Sequence, residues 1–168
     1  ALAIGRDAGV RVEISHLKTA GKNNWQLVDQ AIGKIRNARE EGQEVAADRY
    51  PYLCGNTELD VIFPEWASAG GTQAVLDRLS DRGQRARLRA DLEAGRSKDY
   101  WSGIVIGSTY HPDNRKFRGR ALTDVAKILG IEPVDAVLKL VESDRLKTSA
   151  FFFGMSEDNM TKILAEPY

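Results

Sequence analysis

Apolar and polar positions alternate with a period of two through "VRVEISHLK", residues 10 to 18, where Val10, Val12 and Ile14 point one way and their polar neighbours the other. This predicts a strand whose C-terminal end runs from His16 to Lys18. The segment before it, "ALAIGRDAGV", has the pattern of the last turns of a helix stopped near Gly9. After a loop, "TAGKNN", the apolar positions Trp25, Leu27, Val28, Ala31, Ile32, Ile35 and Ala38 recur at helical spacing, and Gly42 stands where a helix is usually terminated. "EVAADRYPYL" then predicts a second strand from Val45 to about Asp48 that turns at Tyr50-Pro51. Strand, helix, strand at this spacing is a βαβ unit, and its parallel strands end on the same side. His16, Lys18, Asp48 and Tyr50 are therefore expected at one rim.

The texture changes after "CGNTELD". "VIFPEWASAGG" is irregular with aromatic anchors. "TQAVLDRLSDRGQRARLRADLEAG" carries two short helices, the second with Ser80 as its expected N-cap. A short buried strand is expected from Ile104 to Gly107, a loop over "HPDNRKFRGR", a helix stopped by Gly130, and a helix with Pro133 in its first turn. "KTSAFFFG" predicts a buried strand, and "SEDNMTKILAE" a last helix capped by Ser156. Both ends read as cuts in a longer chain, the first inside a helix and the second at a proline just past one.

Composition narrows the function classes. An apolar share of 42% over 168 residues suits a globular domain with a sizeable core. Twenty-four basic and 24 acidic side chains cancel, so no net field draws the chain to nucleic acid or to an anionic membrane. The basic runs "DRGQRARLRAD" and "HPDNRKFRGR" lack interleaved stacking aromatics and read as solvated faces. No apolar run approaches the roughly 18 residues of a membrane span. One cysteine, Cys54, leaves no internal disulfide, which fits a reducing, cytoplasmic setting.

The chemistry-bearing residues are few. His16 at the end of a parallel strand stands where α/β folds place ligands and catalytic groups, but a hydrogen-bonded structural histidine fits the same position. Lys18 pairs a cation with that imidazole or is a solvated lysine. Asp48 orients His16, binds a ligand, or simply forms a turn. Tyr50 and Tyr52 offer phenols to a carboxylate or pack as aromatics. His111 lies in a loop and reads as a surface residue, and Cys54 as packing. No HxH, HExxH or CxxC spacing is present, so no complete metal site is legible.

Taken together, "VEISHLK" with the following "NNW", "VAADRYPYLCGNTELD", "FPEWASAGG", "GRALTDVAKILGIEPVDAVLKLV" and "SEDNMTKILAEPY" resemble, in this order, the N-acyl-D-amino-acid deacylases (D-aminoacylases) of the amidohydrolase superfamily. The resemblance implies an α/β fold: residues 1–57 as part of a TIM barrel, a βαβ piece with two barrel strands, and residues 58–168 as a mixed α/β insert leading toward the last barrel strand. It implies a zinc-dependent hydrolase that cleaves a small-molecule N-acyl-D-amino acid to a D-amino acid and a carboxylate. His16 is then a zinc ligand, Lys18 and Tyr50 are substrate contacts, Asn56 or Thr57 lines the same pocket, and Asp48 supports from behind. The family's remaining ligands would lie before Ala1, and its general-base aspartate after Tyr168. The fragment alone is therefore expected to be inactive and to hold zinc weakly. Two barrel strands cannot close a barrel, so a homo-oligomer of the fragment is expected as well. The competing readings are a fragment of a dihydroorotase-like cyclic-amide hydrolase and a non-catalytic scaffold or oligomerisation domain.

Overall fold

Gly9 ends the first helix as its position suggests: α1 (Leu2–Ala8) stops on Gly9 at φ 63°, a left-handed conformation that costs glycine nothing. The computed structural model describes residues 1–168, Lys98 by its backbone alone. Strand β1 spans Val12–Ile14, a 3₁₀ turn Lys22–Leu27 leads into α2 (Val28–Glu40), and β2 covers Val45–Ala47. β1 and β2 are parallel, with Val12 opposite Val45, Glu13 opposite Ala46 and Ile14 opposite Ala47. The βαβ unit is thus present, though both strands are shorter than their alternation suggests. Val10 lies outside the strand and is exposed. The helical spacing from Trp25 resolves into the 3₁₀ turn and α2, because a helix takes its register from buried Val28, Ile32, Ile35 and Ala38.

The chain divides into two compact units, Ala1–Cys54 with Gly154–Tyr168, and Gly55–Phe153. Strand β3 (Cys54–Glu58) lies in the second unit from Gly55 onward. It is followed by α3 (Glu65–Ser68), α4 (Gly71–Ser80), α5 (Arg82–Glu93), α6 (Lys98–Ser102), β4 (Ile104–Ile106), α7 (Leu122–Leu129), α8 (Pro133–Ser143) and β5 (Ser149–Phe153). The strands form one sheet in the order β3-β5-β4, with β4 and β5 antiparallel. Helix α8 is the centre of this unit. Its Val134, Ala136, Val137, Leu138, Leu140 and Val141 are all buried, in one cluster with Leu79, Leu88, Leu92, Ile104, Ile106 and Leu122.

Three sequence expectations differ here. β3 was not foreseen, since "CGNTE" has no apolar alternation; it is a strand because β5 supplies a partner. Asp81, not Ser80, caps α5, its Oδ1 accepting from the Gln84 N–H at 2.8 Å. The triple phenylalanine is not buried throughout: Phe151 and Phe153 are 38% and 53% exposed, while Ala150 faces the core. Alternation along a strand allows only every second residue inside.

The last helix, α9 (Glu157–Leu164), belongs to the first unit and is capped by Ser156 as expected, whose Oγ accepts from the Asn159 N–H at 3.3 Å. Its Ile163 packs on Val28 and Ile32 of α2. Arg36 of α2 grips Glu166 through both carboxylate oxygens, at 2.9 and 2.6 Å. A fork of this kind fixes orientation as well as charge.

Asp60, in the short turn after β3, has a buried Oδ1 with no hydrogen-bond partner. Burial raises its pKa above the ordinary carboxylate range, and nearby Glu58 adds to the rise, against its own backbone N–H, which lowers it. A raised folded-state pKa means the folded chain binds the proton more tightly than the unfolded chain. Stability therefore declines as pH rises from the unfolded pKa through the folded one, and at neutral pH the ionised group carries the cost. Asp60→Asn removes the charge and keeps the shape. It should raise stability at pH 7 by less than about 1 kcal/mol, the exposed half of the group limiting the gain. Urea midpoints at pH 4 and pH 7 check this, since the advantage of the variant must shrink at the lower pH.

Candidate functional site

Because β1 and β2 run in parallel, the residues that follow them emerge at one rim of the first unit. The ladder continues just past the strands: the Asp48 N–H donates to the Ile14 carbonyl (3.2 Å), and the Leu17 N–H to the Asp48 carbonyl (2.8 Å). Between these bonds the chain turns at His16, whose φ of 57° is left-handed, a conformation uncommon outside glycine. Asp48 holds that turn. Its Oδ1 accepts from the backbone N–H of His16 at 2.7 Å, so the carboxylate fixes the backbone from which the imidazole projects.

The turn changes how Lys18 reaches the site. Alternation along an extended strand would put Lys18 and His16 on one side, but the strand ends at Ile14. Lys18 instead folds back, its Nζ donating to the His16 carbonyl at 2.8 Å and lying 5.4 Å from the centre of the Tyr50 ring. Pro51 behind it disfavours a helical backbone at Tyr50. Its ring meets the His16 imidazole edge to face, with centroids 5.3 Å apart and planes at 69°, and stacks loosely on Tyr52 at 6.4 Å. The first unit thus brings His16, Lys18, Asp48 and Tyr50 together, with His16 and Lys18 exposed.

Asn56 and Thr57 belong to β3, in the second unit. The Asn56 amide donates to the Ala150 carbonyl at 3.3 Å, and the Thr57 hydroxyl lies 3.5 Å from a Glu58 carboxylate oxygen. His111 acts as a turn cap: its Nδ1 accepts from the Asp113 N–H at 3.3 Å. Cys54 is a free, half-buried thiol.

The loop between β1 and α2 is tied down by residues whose role was not read from the sequence. The carbonyl of Gly154 accepts from the Gly21 N–H (2.8 Å) and from the Trp25 indole (2.9 Å), and the Asn159 amide donates to the Trp25 carbonyl (2.8 Å) and to the Thr19 hydroxyl (3.1 Å). A pairing across more than 120 residues leaves no local signal. Beside this loop Lys18 borders a cleft of about 430 Å³ that also touches Asn24, Gln30 and Lys34. A larger cleft of about 840 Å³ in the second unit, beside Trp101, Lys127 and Pro133, has neither histidine nor cysteine in its described lining. The chemistry-bearing groups converge at the first rim.

A histidine, an ammonium and a phenol at one edge can bind an anion and donate one metal ligand. They do not make a metal centre: among the described residues no three His, Cys, Asp or Glu side chains gather closely enough to hold an ion. No helix among them is long and apolar enough to cross a membrane.

A mixed α/β chain with this rim is similar to metal-dependent deacylases. The particular relatives agree with the resemblance carried by SHLK and DRYPY. An N-acyl-D-glutamate deacylase from Alcaligenes xylosoxydans xylosoxydans is 26% identical over 162 residues, which is 96% of this chain and 25% of the relative. The crystal structure of the N-acyl-D-glutamate deacylase from Bordetella bronchiseptica, complexed with zinc and a phosphonate mimic of the tetrahedral intermediate, matches with a TM-score of 0.67 and 25% identity over 99% of this chain and 26% of that one. A D-aminoacylase whose structure defines a subset of amidohydrolases matches with a TM-score of 0.58 and 27% identity, over 98% of this chain and 26% of that one. The chain spans about a quarter of the length of these relatives. No protein-family model matches it.

Proposed function

We propose that this chain is a segment of a zinc-dependent amidohydrolase that hydrolyses N-acyl-D-amino acids to a D-amino acid and a carboxylate. The observation that carries the reading is the rim itself: His16 on a turn pinned by Asp48, with Lys18 and Tyr50 around it, formed by the same SHLK and DRYPY motifs that carry the resemblance. The coverage of one quarter-length stretch in several deacylases supports it.

In this reading β1 and β2 are two neighbouring strands of a TIM barrel and His16 stands at the C-terminal end of one, where such barrels carry their chemistry. Residues 58–168 form a mixed α/β insert, and the reading assigns the whole protein to the cytoplasm, a reducing setting in which Cys54 stays a free thiol. Zinc supplies a Lewis acid and an acidified water when bound. His16 would contribute one donor to it. Among the described residues the donor set falls short of the three or four protein ligands such a site takes, so these residues do not hold the metal by themselves. What they do is prepare substrate binding. The Lys18 ammonium and the Tyr50 hydroxyl offer a charge and a hydrogen bond to the substrate carboxylate.

The test compares two proteins. The full-length, zinc-loaded protein should release D-amino acids from a panel of N-acetyl-D-amino acids. The 168-residue chain alone should release none above background, and dialysis should leave it with far less than one zinc per chain. Deacylation by the isolated chain at a rate near that of the full-length protein would overturn this division of the site.

A further inference from the structure

Arg49, between Asp48 and Tyr50, makes contacts that the reading above does not use. Its Nη2 donates to the Tyr52 carbonyl at 3.1 Å and lies 3.2 Å from the Met155 sulfur, and its guanidinium carbon is 4.7 Å from the centre of the Tyr50 ring. Among the described residues no carboxylate pairs with it, and its Nε and Nη1 are buried without a hydrogen-bond partner.

Two buried, unpaired nitrogens on a half-buried guanidinium are costly, and a substitution that removes the charge would ordinarily relieve the cost. Here the guanidinium lies over the π face of one ring, Tyr50, and that same ring bears on His16 and Lys18. A single atom, Nη2, anchors Arg49 to both the Tyr52 carbonyl and the Met155 sulfur. The ring is therefore confined by Arg49, Lys18 and His16 together.

We propose that Arg49 is a positioning residue that holds the Tyr50 ring in the orientation in which its hydroxyl meets the substrate carboxylate. This rests on Tyr50 being a substrate contact, as proposed above. Arg49 itself touches no reacting atom.

The test has a structural arm and a kinetic arm. The 168-residue chain has two histidines, so the ring-proton NMR signals of His16 and His111 are readily separated, and Tyr50 sets a ring-current shift on His16. Arg49→Met, which keeps bulk without charge, should move the His16 signals more than half way to those of Tyr50→Leu and leave His111 in place. Arg49→Lys, which keeps the charge and folds if Met does not, should fall between. In the full-length, zinc-loaded protein Arg49→Met should raise KM roughly tenfold with kcat within about twofold, the mark of lost uniform binding. In a Tyr50→Leu background it should add nothing. Unchanged His16 signals in both Arg49 variants, or an equal rise in KM without Tyr50, would overturn the proposal. Absence of any deacylation by the unsubstituted full-length protein would refute the function, while the NMR comparison would still decide whether Arg49 places Tyr50.

Discussion

Replacing His16 by asparagine in the full-length protein should lower zinc content well below that of the unsubstituted protein and reduce kcat/KM by at least about 100-fold. The magnitude follows from the position assigned to the imidazole. Loss of a partner behind a metal ligand typically costs 10- to 100-fold in affinity or activity, and loss of the ligand itself should cost no less. Asparagine is the informative substitution because His16 sits at φ 57°, and asparagine tolerates that region better than most residues. The Asp48 carboxylate accepts from the backbone N–H of residue 16, which the substitution keeps. The fold of the rim is thus preserved and the imidazole alone is removed. His111→Asn is the control: His111 only caps a turn, and its loss should leave zinc and kcat/KM unchanged within about twofold. Metal analysis and steady-state kinetics on the two variants check both statements. Full zinc and full activity in His16→Asn would make His16 a structural histidine.

The largest expected effect on stability lies in the second unit. Asp144, 3% exposed, accepts four hydrogen bonds: from the Tyr110 N–H (3.2 Å), the His111 N–H (2.7 Å), the Asn114 amide (2.9 Å) and the Thr148 hydroxyl (2.7 Å). One carboxylate at the end of α8 therefore gathers the start of the loop at 110–114 and the approach to β5. No basic side chain pairs with it among the described residues; hydrogen bonding alone satisfies its charge. Asp144→Ala strands the Tyr110 and His111 N–H groups and one proton of the buried Asn114 amide, whereas the buried Thr148 hydroxyl can turn to the Leu140 carbonyl at 3.3 Å. The cost should be about 3–5 kcal/mol, the range seen when one member of a buried charged network is removed. That corresponds to a fall in Tm of roughly 10 °C for a chain of this size. Asp144→Asn keeps one acceptor oxygen and turns an NH₂ against donors, so it should fall between the two. Thermal unfolding followed by circular dichroism measures this, and a loss below about 1 kcal/mol for Asp144→Ala would show that the network relaxes onto water.

The sequence carried most of the first unit. Gly9, the helical spacing through Ile32 and Ile35, and the alternation ending at Ile14 each act over a few residues, and the parallel pairing of β1 and β2 follows once a helix connects them. His16, Lys18, Asp48 and Tyr50 could be gathered at one rim on that basis alone. Their detailed arrangement could not, because the turn at His16 breaks the alternation from which a common side for His16 and Lys18 is inferred. The contacts of Arg49 are not legible for a related reason: nothing local shows that an arginine after Asp48 will lie over the next ring and reach a methionine 106 residues on. In the second unit the amphipathic helices were legible, but β3 was not, since its strand character comes from pairing with β5 and not from its own residues. The exposure of Phe151 and Phe153 was also hidden, because three consecutive phenylalanines read as buried until the strand's alternation is imposed.

The rim is proposed to serve a deacylase selective for D-amino acids. The most direct test is enantiomer-resolved hydrolysis by the full-length, zinc-loaded protein, with N-acetyl-D- and N-acetyl-L-amino acids assayed side by side and N-acetylglutamate among them. The prediction is release of the D-amino acid with kcat/KM at least about 100-fold above that for the L-enantiomer, a gap of about 2.7 kcal/mol in transition-state binding. No hydrolysis of any N-acyl-D-amino acid by fully metallated protein, with cleavage of a cyclic amide in its place, would contradict it.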